Sequence, residues 1–531
     1  MGVIFLQRRA VTVFLVMTAV FCGLGVRINS LISQSEQAGV TQSAMTVEID
    51  TLYGTIYDCN LEPLTNSESE IYAAAKPTNQ ALAELKKTLL PEIFDSVTER
   101  MSRGKPVAVK VDSIGICSDI KAVAVPKRYK DILCCHITGY RNSEGGVSGI
   151  EKAYNSLIES ETNTVRVRFS SNAKGRVMLG EDIEIYGNDT PKTGVVLTVD
   201  KRIQQITEDA LDNSGTVCGA AVVIDIESGA IRACVSRPAF DRNNLAESLN
   251  DENSPLINRA FLPFSTGSVF KPVIAAAALE NGITEYEYNC TGSVTLNGVT
   301  FNCHKHDGHG VLDIRQAVAV SCNTFFISLA NDIGAENLTE TAEKFGFGKE
   351  ILFADGMKSS AGYLPGKDEL DSKAAIANFS FGQGSLLATP VQICAMMSAV
   401  ANGGVYIEPY LIEGEMNSEG RETKIKAYAE RRQIISYDTS KMLRKCLESV
   451  VTEGSGKRAA SGFVSVAGKT ATAQTGKSEN GEEIYNAWFA GYFPADNPKY
   501  AVAILKENGG EGAVSCAPVF KEIAEKINGS N

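Results

Sequence analysis

The sequence has no basic surplus. Lys and Arg number 51 against 63 Asp and Glu, for a net charge of −12. A general phosphate-backbone binder needs a basic face, so nucleic acid is not expected as a partner. Long apolar runs are nearly absent too. Only Ala10 to Val26 stays uncharged, for about seventeen residues, at the lower limit for a spanning helix. No other segment qualifies, which excludes a polytopic membrane protein. Solenoid repeats and low-complexity tracts are also missing. What remains is an ordinary globular composition, 44% hydrophobic and 21% charged, in a chain of 531 residues. That length is too great for one core and implies about two or three domains.

Arg8 and Arg9 precede the apolar run, and the positive-inside bias keeps them cytoplasmic and places everything after Arg27 outside. A retained anchor is expected over a cleaved signal peptide, because no small-x-small cleavage site follows. The 13 cysteines are an odd count, and a chain this long has core enough without a disulfide framework. Cys218, Cys234 and Cys394 lie in apolar runs and read as small buried hydrophobes. In the cluster Cys290, Cys303, His304, His306 and His309, free thiols are expected ahead of a Cys290–Cys303 disulfide. Zinc comes last, so no metal and no cofactor is expected.

From Gln34 to Thr190 the chain is polar and mixed, with a charged helical segment at Ala81–Arg100, a strand at Val107–Val111 and a loop entering a helix near Gly149. Its character changes near Val195. Val195–Val199 reads as a buried strand, and Asp200 as the N-cap of a helix carrying Ile203, Ile206, Ala210 and Leu211. Ala220–Ile226 with Ala230–Val235, and Trp488–Phe493 with Tyr500–Leu505, read as hairpins. Thr389, Pro390 and Gln392 open a helix, and Pro518–Ile527 closes the chain with another. Strands at both ends of a helical centre predict an α/β (α+β) domain: an antiparallel sheet built from both termini, faced by helices.

Three short motifs follow in order: Ser268-Val269-Phe270-Lys271, Ser321-Cys322-Asn323 and Lys469-Thr470-Ala471-Thr472. Singly they mean little. Ser171 to Lys174, Ser248-Leu249-Asn250 and Lys192-Thr193-Gly194 spell the same patterns, but they occur in the wrong order or too close together to converge on a cleft. Ser268 opens the helix-forming run Val269–Leu279, one turn from Lys271, beside backbone N–H groups that could hold an oxyanion. Alone, the pair also reads as a capping serine and a surface lysine.

A lysine at its ordinary pKa of about 10.4 is a poor base, and lowering it by about 3 units costs around 4 kcal/mol. Lys469 would supply part of that as charge repulsion. Ser321, in a polar break between apolar stretches, can relay a proton, and Asn323 can hold a substrate amide. The run Phe463–Ala467 reads as a strand whose tail, Lys469–Gln474, offers an edge to an extended peptide.

With these motifs the sequence resembles a class B penicillin-binding protein. Asn258-Arg259-Ala260, Gly382-Gln383-Gly384, Thr389-Pro390-Val391-Gln392 and Ala487–Tyr492 are similar too, as are the upstream Gly54–Asp58 and Gly149–Glu151. The resemblance implies a penicillin-binding transpeptidase fold with a helical subdomain. It would be carried by a cytoplasmic tail (1–9), a transmembrane anchor (10–29) and an elongated pedestal (30–190), with the transpeptidase domain at 191–531.

It implies Ser268 as nucleophile on the penultimate D-Ala carbonyl of a stem peptide, Lys271 as base and Ser321 as relay. Asn323, Lys469, Thr470 and Thr472 would bind substrate. The Ser268 and Thr472 N–H groups would form the oxyanion hole. Implied partners are peptidoglycan stem peptides, β-lactam antibiotics and a polytopic membrane glycosyltransferase, at the outer face of a bacterial cell membrane. A D,D-carboxypeptidase or β-lactamase-like hydrolase is the enzymatic alternative, and a silent penicillin-binding scaffold or sensor the other. The chain departs from the family at Ala471, where Gly is usual, and at Tyr53 and Cys59, where Arg is usual. The Ala471 methyl is expected either to push a bound peptide outward or, if the strand twists, to point away from it as a silent substitution.

Overall fold

A computed structural model describes residues 2–37, 43–172, 174–425, 430–479 and 481–529. Met1 of the expected tail, and 38–42 and 173 of the expected pedestal, lie outside the described residues. The chain divides into two compact units, but not by a single cut near residue 190. The smaller comprises 1–52, 69–126 and 163–189, and the larger 53–68, 127–162 and 190–531. The two upstream pieces join the larger unit through backbone pairing. Thr55–Tyr57 lies parallel to Gly194–Leu197, and Gly54 N–H donates to Ile158 O at 2.9 Å.

The smaller unit begins with helix Gly2–Gln37. Its Val11–Ser30 portion has a mean hydropathy of 2.1 over a window long enough to cross a membrane, and none of it is buried. Strand Ser43–Leu52 pairs antiparallel with Asn163–Ser171, which pairs with Glu184–Tyr186. Alternating Val165, Val167 and Phe169 bury one face of that sheet. The segment expected as one helix, Ala81–Arg100, is two, Asn79–Leu85 and Pro91–Ser102, because Pro91 can start a helix but not sit inside one.

The larger unit is built on a five-stranded antiparallel sheet. Its order is Ile231–Arg237, Gly219–Asp225, Tyr500–Lys506, Glu482–Phe493, Ala467–Glu479. Both hairpins expected from sequence are there. Helices Lys201–Asn213 and Ala517–Asn528 cover one face, where Ala221 and Val223 pack with Leu211, Phe520 and Ile523. The alternate residues Ala220, Val222 and Ile224 face the opposite core, which contains the wholly buried helix Pro390–Ala401. With both faces covered, the central strands read as continuous apolar runs. Asp200 caps its helix by accepting from Arg202 and Ile203 N–H, and Thr389 and Gln392 form a capping box.

Three local expectations are corrected. The edge strand starts at Ala467, so Lys469 stands near its beginning, and Phe463–Val466 is not strand. Ser268 sits in a 3-10 turn, Gly267–Phe270, which precedes helix Lys271–Glu280. Cys234 and Cys394 are buried as expected, whereas Cys218 is only half-buried, with Sγ 3.6 Å from Asn253 Oδ1.

Candidate active site

The helix Lys271–Glu280 is buried from Lys271 to Ala278, so its single lysine enters an apolar core. The 3-10 turn before it has three residues per turn and puts Ser268 above Lys271. Gly267 takes φ +56°, a left-handed value that glycine adopts without penalty. Its N–H donates to Gly382 O at 2.9 Å, and Trp488 Nε1 donates to Ser265 O at 3.0 Å. These bonds fix the serine's turn to the sheet and to the Gly382-Gln383-Gly384 loop.

Ser321-Cys322-Asn323 is the corner between helices Ile314–Ala319 and Asn323–Ile333. Ser321 has φ +57°, a strained conformation for a residue with a side chain. At this corner the two lysines converge. Lys271 Nζ donates to Asn323 Oδ1 and Ser321 O, both at 2.7 Å, and to Ser321 Oγ at 3.2 Å. Lys469 Nζ donates to Ser321 Oγ at 2.9 Å and to Thr470 O at 3.0 Å. One hydroxyl thus bridges the two lysine nitrogens, and both lysines are fully buried.

Burial disfavours the charged forms, and it pushes Lys271 down from an ordinary 10.5 to about 7. Lys469 is held well below its ordinary value, first by burial and then by the charge of Lys271. Desolvation is thus the leading cause at both lysines, and the expected repulsion shows at Lys469 and not at Lys271.

Ser268, Asn323 and Thr472 open on a cleft of about 570 Å³, with Asn302, Asn378, Gln383, Gln474 and Tyr485 around them. Sequence reasoning had singled out Gln383 only as a resemblance and Gln474 only as the end of the peptide-binding edge, and had missed Asn302, Asn378 and Tyr485, which come from separate segments. Thr470 turns elsewhere, its Oγ1 3.0 Å from Ser455 Oγ. Of the two readings of Ala471, the structure favours the methyl that points away: the residue is buried, lies outside the cleft lining and faces the underside of Gly267. A Cβ built on Gly267 would lie 3.3 Å from the Ala471 methyl. Lys469, Ala471 and Ala473 share one face of the strand, and that face points inward.

The upstream departures lie in the larger unit. The Arg141 guanidinium stacks 3.7 Å over the Tyr53 ring, and Arg141 and Arg128 both pair with the buried Glu151, at 3.2 and 2.7 Å. Cys59 N–H donates to Val199 O at 2.9 Å.

Cys290 and Cys303 are free thiols, as is every cysteine. Among the described residues, the group able to hold a metal is Cys290, Cys303, His309 and Cys322. His304 and His306, which the sequence had put in the cluster, are not part of it. Cys322 comes from the Ser321–Asn323 corner, and its separation along the chain hid it.

Residues 219–525 match the penicillin binding protein transpeptidase domain. The chain is 32% identical over 393 residues to the stage V sporulation protein D of Bacillus subtilis, covering 70% of this chain and 58% of that protein's length. It thus spans less than two-thirds of that relative. It is 29% identical over 481 residues to the peptidoglycan D,D-transpeptidase PbpA of Mycobacterium tuberculosis, covering 85% of this chain and 91% of the relative. Among solved structures, the D,D-transpeptidase domain of a peptidoglycan glycosyltransferase from Eggerthella lenta superposes with a TM-score of 0.65 at 26% identity. That match covers 90% of this chain and 98% of the other.

Proposed function

The chain belongs to the penicillin-binding protein transpeptidase family, and from that premise we propose that it is a serine D,D-transpeptidase that cross-links peptidoglycan stem peptides. The observation that carries this reading is the convergence of two buried lysines on one hydroxyl beside a serine in an open cleft. Neutral Lys271 takes the Ser268 proton as Oγ attacks the carbonyl of the penultimate D-Ala. The N–H groups of Ser268 and Thr472 are the proposed donors to the resulting oxyanion. Collapse breaks the peptide bond, and the proton passes through Ser321 to the departing D-Ala amine. An amine of a neighbouring stem then attacks the acyl-enzyme and restores Ser268.

Asn323 and the cleft amides hold the donor backbone and Thr472 meets its terminal carboxylate, while the fully buried Lys469 acts on the site through the Ser321 hydroxyl. A β-lactam enters the same path, but its leaving nitrogen stays tethered, so acylation is not followed by release. Helix Val11–Ser30 anchors the chain in the bacterial membrane with the catalytic unit outside. A membrane glycosyltransferase is the proposed partner that supplies glycan strands.

The test is a reaction of the full chain with a D-Ala-D-Ala peptide and an amine acceptor. Transfer product formed together with free D-Ala supports the reading, and shortened peptide without transfer product assigns a hydrolase. No D-Ala release and no penicillin adduct would sink both enzymatic readings.

A further inference from the structure

Cys322 is the middle residue of the Ser321–Asn323 corner, and its thiol does not stand alone. Its Sγ lies 3.8 Å from Cys303 Sγ. His309 Nδ1 lies 3.5 Å from Cys303 Sγ and 3.6 Å from Cys290 Sγ. All four ligand atoms fall within 4.8 Å of one another; the three cysteines are buried and His309 is half-buried. These separations are far too long for a disulfide, which needs about 2.05 Å. They suit a shared ion. Zinc bound tetrahedrally at about 2.3 Å to sulfur and about 2.05 Å to nitrogen sets its ligands about 3.8 Å apart between sulfurs and about 3.5 Å between sulfur and nitrogen.

The backbone is shaped to bring these groups together. Gly292 (φ +98°) and Gly308 (φ +77°) cross so closely that a Cβ on Gly308 would lie 2.2 Å from Cys290 O, and one on Gly292 1.8 Å from His306 O. Only glycine permits that approach, which sets Cys290 beside the 303–309 loop. The surroundings suit thiolates: Thr324 Oγ1 donates to Cys290 Sγ at 3.1 Å and lies 3.4 Å from Cys322 Sγ.

We propose that Cys290, Cys303, His309 and Cys322 form a closed zinc site that clamps the Ser321–Asn323 corner to the rim of the cleft. With four protein ligands no position is left for substrate, so the ion is structural. Its reach is functional all the same. Cys303 follows strand Val299–Asn302, and Thr300 to His304 line the cleft, while Cys322 joins the two residues on which Lys271 and Lys469 converge. Binding displaces the thiol protons and holds Ser321 at its left-handed φ of +57°. Cys322 and the other three ligands are positioning residues, acting through Ser321 and Asn323.

The test begins with the full detergent-solubilised chain, purified under reducing conditions without chelator. Elemental analysis should find close to one zinc per chain, and cobalt replacement should give the visible absorption of a tetrahedral thiolate site. Less than about 0.1 zinc per chain, even after zinc is supplied, would overturn the site, as would cobalt uptake without thiolate bands. Cys290→Ser and His309→Ala should lose zinc, whereas Cys394→Ser should keep it, and equal zinc in all three overturns the ligand assignment. For coupling to the cleft, strong chelation should slow penicillin acylation at least tenfold, with recovery on adding zinc but not magnesium. Unchanged acylation of metal-free protein that remains folded would overturn the clamp.

Discussion

A single methyl group on Gly267 probes how tightly the serine's turn is held. Gly267 adopts φ +56°, and Ala in that region costs about 1–2 kcal/mol of backbone strain. The added Cβ would also lie 3.2 Å from Ala473 Cβ and 3.3 Å from Ala471 Cβ, tighter than ordinary packing. The strand below is the edge strand of the sheet, but Ala471 and Ala473 sit in the packed core beneath the turn, so the turn must lift by a few tenths of an ångström. Ser268 follows directly, and the Gly267–Gly382 bond resists on only one side. Since a displacement of about 1 Å at a reacting centre can cost roughly 10²-fold, Gly267→Ala should slow acylation by a fluorescent penicillin about tenfold. Ala471→Gly alone should change the rate less than about twofold, because its methyl does not enter the cleft. Combined with Gly267→Ala it should restore part of the lost rate by removing one contact, while the φ strain remains. Stopped-flow acylation of the four proteins decides the matter. Normal acylation by Gly267→Ala, or a several-fold acceleration by Ala471→Gly alone, would refute the packing argument.

The remaining expectations follow from the same geometry. As the proposed base, Lys271 would act only when neutral, and its value near 7 means that the neutral fraction rises with pH. The acylation rate should therefore climb about tenfold from pH 6 to pH 8 and then level off. A flat profile across that range would remove Lys271 as base. Glu151→Gln takes the charge from a buried carboxylate shared by Arg128, Arg141 and the Tyr129 hydroxyl. It should destabilise the larger unit by about 3–5 kcal/mol in urea unfolding, and a change below about 1 kcal/mol would show that the network is dispensable.

What the sequence disclosed was mostly local. Asp200 as an N-cap, the Thr389–Gln392 capping box and the two hairpins of the central sheet depend on residues a few positions apart, and all are present. The order and spacing of the Ser268, Ser321 and Lys469 motifs was legible for a related reason: three separate elements could reach one cleft only in that arrangement. Features set by long-range pairing were not legible. The segments around Tyr53 and Glu151 join the larger unit because Thr55–Tyr57 pairs with a strand more than a hundred residues later. Cys322 stands in the sequence only as the middle of its motif, and nothing local shows that it faces Cys303. The direction of the Ala471 methyl was available in principle. Lys469 must point inward to reach Ser321, and residues two apart on a strand share a face. The strand's start was misplaced because Phe463, apolar in sequence, is exposed.

The central claim is that Ser268 forms a covalent acyl-enzyme within the field of two buried lysines. Peptide mapping by mass spectrometry after reaction with benzylpenicillin tests it most directly. The account predicts one adduct per chain on the peptide containing Ser268, absent in Ser268→Ala and retained in Ser171→Ala. An adduct elsewhere, or labelling that survives Ser268→Ala, would contradict it.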